Sequence, residues 1–151
     1  MQLLIRAPDL GELPALSELC MRSKAVWGYD EAFMAACRRE LSFDLHDLKS
    51  SHIAVAARSE DVVGVAQVRV AGNEADLAKL FVDPAAMRLG VGQALFAWAL
   101  DTAHALGASR MVIEADPDAA PFYRRLGARE VGLVPSGSIA GRMLPKLVLE
   151  L

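Results

Sequence analysis

Leu77-Ala78-Lys79-Leu80-Phe81-Val82-Asp83-Pro84-Ala85-Ala86-Met87-Arg88-Leu89-Gly90-Val91-Gly92-Gln93-Ala94-Leu95, continuing to Leu106, is the stretch around which the chain is organised. It reads as strand, turn, glycine loop and helix. A strand feeding a loop with Gly90 and Gly92, and then a helix start, brings unpaired backbone N–H groups and the positive end of the helix dipole to one point. That point suits a phosphate. The helix is predicted over residues 90–106, with Val91, Leu95, Trp98, Thr102 and Leu106 as its buried stripe and Gly107 as its stop.

Upstream, strands are predicted over residues 52–57, 62–70 and 76–82, separated by the turns Arg58-Ser59-Glu60-Asp61 and Ala71-Gly72-Asn73-Glu74. Three strands joined by short turns make an antiparallel meander. Nearer the N-terminus, a strand at 3–6 is closed by Pro8. Helices follow over 10–21, with Leu13, Leu16, Leu19 and Cys20 inward, and over 31–41, capped by Asp30, with Phe33, Met34, Cys37 and Leu41 inward. Residues 22–30, which include Trp27, Gly28 and Tyr29, read as a loop between them. Downstream, the helical crossover leads to a strand at 110–115, whose neighbour is expected to be parallel. A short helix at 119–126 is anchored by Phe122 and Leu126, with Tyr123 at its margin. Strands at 129–134 and 144–151 flank a loop rich in glycine and serine. The class is α/β (α+β), with a mixed central sheet of about six or seven strands flanked by about four helices. No repeat or linker divides the chain, so residues 1–151 read as a single domain.

A composition that is 54% hydrophobic supplies a core for one such domain. The 16 basic and 19 acidic residues give a net charge of −3. No dense basic stretch is interleaved with aromatics, so nucleic acid is not expected as a partner. Cys20 and Cys37 lack metal-ligand spacing, which predicts no metal and two reduced thiols in a cytoplasmic protein. The first apolar residues run into Arg6, Asp9 and Glu12, so neither a signal peptide nor a membrane partner is expected.

Met87-Arg88-Leu89-Gly90-Val91-Gly92 resembles the Gln/Arg-x-x-Gly-x-Gly/Ala signature of the GCN5-related N-acetyltransferases, the GNAT family. Met87 stands where that signature has Gln or Arg, and Arg88 beside it supplies a cation. About thirty residues on, Ala120-Pro121-Phe122-Tyr123-Arg124-Arg125-Leu126-Gly127 is similar to the family's Ala-x-x-Phe-Tyr-x-x-x-Gly segment, with Ala119 or Ala120 as the alanine. The order of elements along nearly the whole chain also follows the family's.

The resemblance implies a GNAT-like acyl-CoA N-acyltransferase fold and an enzyme that moves an acetyl group from acetyl-CoA to a primary amine by direct attack in a ternary complex. It implies that Arg88, Leu89, Gly90, Val91, Gly92 and Gln93 hold the pyrophosphate, and that the backbone of Leu80, Phe81 and Val82 pairs with the pantetheine arm. Tyr123, a phenol with an ordinary pKa near 10, would protonate the departing thiolate. Some members place a glutamate fourteen residues before the first signature glycine. Asp76 stands there as the candidate base, with Glu114 or a water chain to solvent as alternatives.

Acceptor recognition falls to Trp27, Tyr29 and Arg142, with Ser23, Lys24, Asp30, Ser136 and Ser138 nearby. A blander role for Trp27 and Tyr29 is to cover the sheet edge. The expected acceptor is a small-molecule or peptide amine, and the apolar terminal strands favour a homodimer. Two other classes compete. One is a non-catalytic module that senses an acyl-CoA. The other is a dinucleotide-binding oxidoreductase, in which Gly90-Val91-Gly92-Gln93-Ala94-Leu95 imitates GxGxxG and Glu114 stands about twenty residues on. That reading lacks the third glycine and repeated βαβ units.

Overall fold

In the computed structural model, which describes residues 2–151, the chain runs β1 (Leu3–Arg6), α1 (Leu13–Ala25), α2 (Glu31–Leu41), α3 (Leu45–Ser50), β2 (His52–Arg58), β3 (Asp61–Ala71), β4 (Glu74–Val82), α4 (Val91–Ala105), β5 (Arg110–Glu114), α5 (Ala120–Arg125), β6 (Arg129–Pro135) and β7 (Met143–Glu150). The seven strands form one sheet in the order β1-β2-β3-β4-β5-β7-β6. Every neighbouring pair is antiparallel except β4–β5, which is parallel and joined through α4. A single parallel pair is not the repeated βαβ arrangement of a dinucleotide-binding sheet, which removes the oxidoreductase reading. Among the described residues, no helix is long and apolar enough to cross a membrane.

Two helical expectations need correction. α1 continues to Ala25 because nothing breaks it before Gly28, whose φ of 85° is left-handed. This carries Lys24 on the last helical turn instead of in a loop. α3 is the fifth helix, beyond the four expected. Asp44 and Asp47 start it reciprocally: the Asp44 carboxylate accepts the Asp47 N–H at 3.0 Å, and the Asp47 carboxylate accepts the Asp44 N–H at 2.9 Å. That is a capping box with aspartate in the glutamate position, on a helix too short to show a period.

The helices cover both faces of the sheet. Leu13, Leu16, Leu19 and Cys20 of α1 pack with Cys37, Leu41, Phe43, Val55 and Val65 on one face. On the other, Phe96, Ala99 and Ala103 of α4 meet Met111, Ile113 and Leu147, while Val91 and Leu95 meet Ala56, Val63 and Ala66. The buried stripe of α4 is therefore Val91, Leu95, Phe96, Ala99 and Ala103, whereas Trp98 and Thr102 are half-buried and Leu106 is exposed. Small alanines face the sheet because the helix lies close to it, a role that a reading weighted toward large side chains overlooks.

β4 holds one extra residue against β3. Gln67 pairs with Lys79 and Val68 with Leu77, leaving Ala78 as a bulge. The bulge bends the strand. Past it, Leu80 and Val82 pack toward α4 while Phe81 packs toward α1. The pairing of β4 with β5 covers only Glu74–Arg110, Ala75–Met111 and Asp76–Val112. Beyond Asp76, the β5 side of β4 is open.

Gly64 on β3 permits the close seat of α4. A Cβ there would lie 2.8 Å from both Leu95 Cδ1 and Val91 Cγ1, and 3.3 Å from the Phe81 carbonyl oxygen. Gly64→Ala should destabilise the fold by about 1–3 kcal/mol through overpacking. In urea unfolding this appears as a lower midpoint at unchanged slope, and an unaltered midpoint would refute the close packing.

Candidate functional site

The parting of β4 from β5 opens a groove of about 910 Å³. Leu80, Phe81 and Val82 line it along the open edge of β4, and Arg88, Gly90, Val91, Gly92 and Gln93 close one end. Leu89 lies outside the lining, exposed in the same loop. Asp83 steadies the approach to this loop, because its carboxylate accepts the Ala85 N–H at 3.1 Å and pairs with Arg22 at 2.8 Å. The chain then turns with left-handed φ values of 65° at Arg88 and 81° at Gly90. The first intrahelical bond of α4 runs from the Ala94 N–H to the Gly90 carbonyl at 3.0 Å. The N–H groups before it, at Val91, Gly92 and Gln93, are the free donors of a helix start. An anion fits there, and the β4 edge fits an extended polar chain that can take up its backbone bonds.

Gly92 also serves packing, since a Cβ would stand 3.3 Å from Phe122 Cζ. Here α4 and α5 come together. α5 docks through Ala120 and Tyr123, which are buried, while Phe122 and Leu126 are half-buried in the groove wall. Tyr123 is thus 6% exposed, not marginal as expected from its place beside the Phe122–Leu126 pair. Its ring lies 5.6 Å from that of Phe96 and 5.1 Å from that of Phe122. Its hydroxyl bonds to none of the described residues. Burial pushes the phenol above its usual range, so it is held protonated, with a proton to give.

Asp76 sits where β4 and β5 part, outside the groove proper. It lines an adjoining pocket of about 620 Å³ that shares Leu77, Ala78, Lys79 and Glu114 with the groove. Its side chain has no hydrogen bond or ion pair among the described residues. Burial, reinforced by the Glu114 charge, raises its pKa above the ordinary aspartate value. A carboxylate that holds protons more readily, with no partner to satisfy, can act as a base.

Trp27 and Arg142 line the groove together with Tyr123, whereas Tyr29 stands behind them. The Tyr29 hydroxyl donates to Asp116 at 2.7 Å and accepts from Arg142 at 2.7 Å, and its ring stacks on Phe33 at 3.9 Å. Burial first, then the bond to Asp116, pushes the Tyr29 phenol up to about 12. Trp27 is 41% exposed at the rim. Two residues of this site escape sequence reading. Asp116 reads as part of a helix-starting Asp116-Pro117-Asp118 turn, yet it binds three side chains from distant segments. Lys79 reads as one more β4 position, yet it is buried and borders both pockets. A charged residue inside an apolar strand was its one available signal.

Solved structures share this architecture throughout. The PaiA N-acetyltransferase of Thermoplasma acidophilum, in complex with coenzyme A, is 16% identical at a TM-score of 0.81, over 100% of both chains. A GCN5-related N-acetyltransferase of Rhodopseudomonas palustris is 20% identical at 0.80, over 98% of this chain and 95% of that one. The ribosomal-protein-S18-alanine N-acetyltransferase of Escherichia coli is 21% identical at 0.72, over 99% and 94%. Among curated protein sequences, none matches significantly. Residues 18–136, well over half of the chain, match the acetyltransferase (GNAT) domain, and the chain belongs to that family.

Proposed function

We propose that the protein is an N-acetyltransferase that moves an acetyl group from acetyl-CoA to a primary amine by direct attack within a ternary complex, with residues 1–151 acting as one cytoplasmic domain. The observation that carries this reading is the open β4 edge, which ends on free N–H donors at the start of α4 and has Tyr123 in its wall. Leu80, Phe81 and Val82 offer backbone partners to the pantetheine amides. The loop from Arg88 to Gln93, Leu89 included, receives the pyrophosphate with its N–H groups and the Arg88 charge.

The acceptor nitrogen must lose a proton before it attacks the thioester carbonyl. Asp76 takes that role, directly or through water. As the new C–N bond forms and the C–S bond breaks, Tyr123 gives its proton to the departing sulfur, and the second proton shed by the nitrogen restores the phenol through water. An acyl-cysteine route has no support. Burial pushes the Cys20 thiol up to about 12, and the buried Cys37 thiol is raised as well. A homodimer is part of this reading, supported by Val131 and Leu133 exposed on the edge strand β6.

Calorimetric titration with acetyl-CoA and a thiol-release screen of amines test the reading. Binding without any transfer would favour the sensor alternative. Tyr123→Phe should lower kcat by roughly 10²-fold while the acetyl-CoA Kd changes little. A variant with full kcat would remove the tyrosine from the chemistry. Asp76→Asn should lower kcat/KM and flatten the acidic limb of the pH profile, because the raised aspartate is the group that must be ionised. If the limb persists unchanged, Glu114 or a water chain supplies the base.

A further inference from the structure

Two cations converge on one carboxylate in the groove wall. Asp116 Oδ2 accepts from the Tyr29 hydroxyl at 2.7 Å, and it pairs with Lys24 Nζ at 3.1 Å and Arg142 Nη2 at 3.4 Å. Its Oδ1 accepts the Asp118 N–H at 2.9 Å. The side chains of Lys24, Arg142 and Asp116 are only 15%, 18% and 9% exposed. The carboxylate is saturated, and it offsets one of the two positive charges.

Among the described residues, no other acid forms an ion pair with Lys24 or Arg142. Glu40, also on this wall, accepts the Ser138 hydroxyl, and Asp30 caps α2 through the Phe33 N–H at 2.8 Å. The cations also have donors to spare. Arg142 uses Nη2 alone, so its Nε and Nη1 face no acceptor among the described residues. Lys24 spends one of three N–H bonds. The Arg142 guanidinium is pinned 4.9 Å and 4.8 Å from the Tyr29 and Phe33 rings, which fixes the direction of its free donors. Two largely buried cations that share one ion-pair partner and keep oriented free donors suit an anion, and charge-assisted N–H donors suit a carboxylate. On the same chain segment, two residues before Asp116, Glu114 lines the wall that the groove shares with the Asp76 pocket. The unpartnered Asp76 stands there to meet an ammonium.

We propose that the acceptor is an amine carrying its own carboxylate, a free amino acid in class, with Lys24 and Arg142 binding the carboxylate while the amine lies toward Asp76 and Glu114. This rests on the acetyltransferase reading above.

Thiol release from acetyl-CoA is measured with the standard α-amino acids, their carboxamides and aliphatic diamines, for the whole protein and its Arg142→Gln and Lys24→Gln variants. At least one amino acid should exceed its own amide in kcat/KM by roughly tenfold or more. Arg142→Gln should bring that acid-to-amide ratio to roughly one through a higher KM for the acid, and Lys24→Gln should move it the same way. Because the ratio is internal, partial misfolding does not imitate this result. Amides or diamines that match or surpass every acid would overturn the inference, as would a ratio that Arg142→Gln leaves intact. Loss of acetyl-CoA binding in Arg142→Gln, by calorimetry, would also overturn it, since the cluster would then hold donor phosphate. The acetyltransferase reading fails differently: every acceptor is inert although acetyl-CoA binds, and the inference falls with it.

Discussion

β4 and β5 can hold each other for only three residue pairs, and the working part of the molecule depends on that failure to pair. β5 bonds along its full length to β7, from Arg110–Glu150 to Glu114–Lys146, and the Ala115 N–H extends the ladder to the Pro145 carbonyl at 3.0 Å. β4 is held equally firmly by β3 as far as Val82, but the Ala78 bulge bends it. Each strand follows its antiparallel partner, and the parallel seam opens. Backbone groups exposed along such a seam need partners. An extended ligand with amides at intervals supplies them without any side-chain code, which is why the proposed donor slot tolerates Leu80, Phe81 and Val82 as ordinary core residues.

Burial acts on Asp76, Asp116 and Tyr123 beside the seam, and the count of hydrogen-bond donors decides the outcome. Asp76 and Asp116 make the contrast. Desolvation is the largest influence on both and pushes both upward. At Asp116 the Tyr29 hydroxyl, the Asp118 N–H and the Lys24 ammonium overcome it, and the pKa falls below the ordinary value. At Asp76 no donor answers, and the nearby Glu114 adds to the rise. One aspartate is thereby fixed as a permanent anion that organises its neighbours, while the other stays available to accept a proton. Tyr123 has only the desolvation and remains a neutral phenol.

What could be read from sequence follows the range of the interactions. The meander, the parallel crossover and the Gly90 loop are written in short periodic segments and tight turns, so β2 to α4 were legible almost to the residue. The proposed donor site draws on that same stretch, a loop and the strand before it. Trp27, Tyr29 and Arg142 were legible as a group of unusual residues in two loops. Their arrangement was not, because the Tyr29–Asp116 bond spans 87 residues and the Arg142–Tyr29 bond spans 113. Asp116, the residue that joins them, looked like a helix start, and locally it is one. Tyr123 was misplaced to a margin because helical phase on a six-residue helix cannot tell which of two adjacent aromatics faces the core.

Lys79 shows why a buried cation alone does not mark a binding site. It is buried more deeply than Lys24 or Arg142, and its pKa is lowered, chiefly by burial. Its ammonium donates to Gln67 Oε1 at 2.9 Å and lies 4.6 Å from the Phe43 ring centroid. Gln67 passes the interaction on, its amide donating to Asp47 at 3.2 Å and to the Ser51 hydroxyl at 2.9 Å. Asp47 also meets Arg69 at 3.3 Å. The chain of dipoles ends on a buried anion, so Lys79 has its counter-charge inside the protein, and α3 is tied to β3 and β4 as a result. Asp47 is likewise shared by two cations, but Arg69 is 46% exposed and solvated, whereas both cations on Asp116 are largely buried. Removing the Lys79 network would cost the fold its rigidity behind the seam. Lys24 and Arg142 have only Asp116 as an ion-pair partner among the described residues, and the proposed acceptor carboxylate would supply the second.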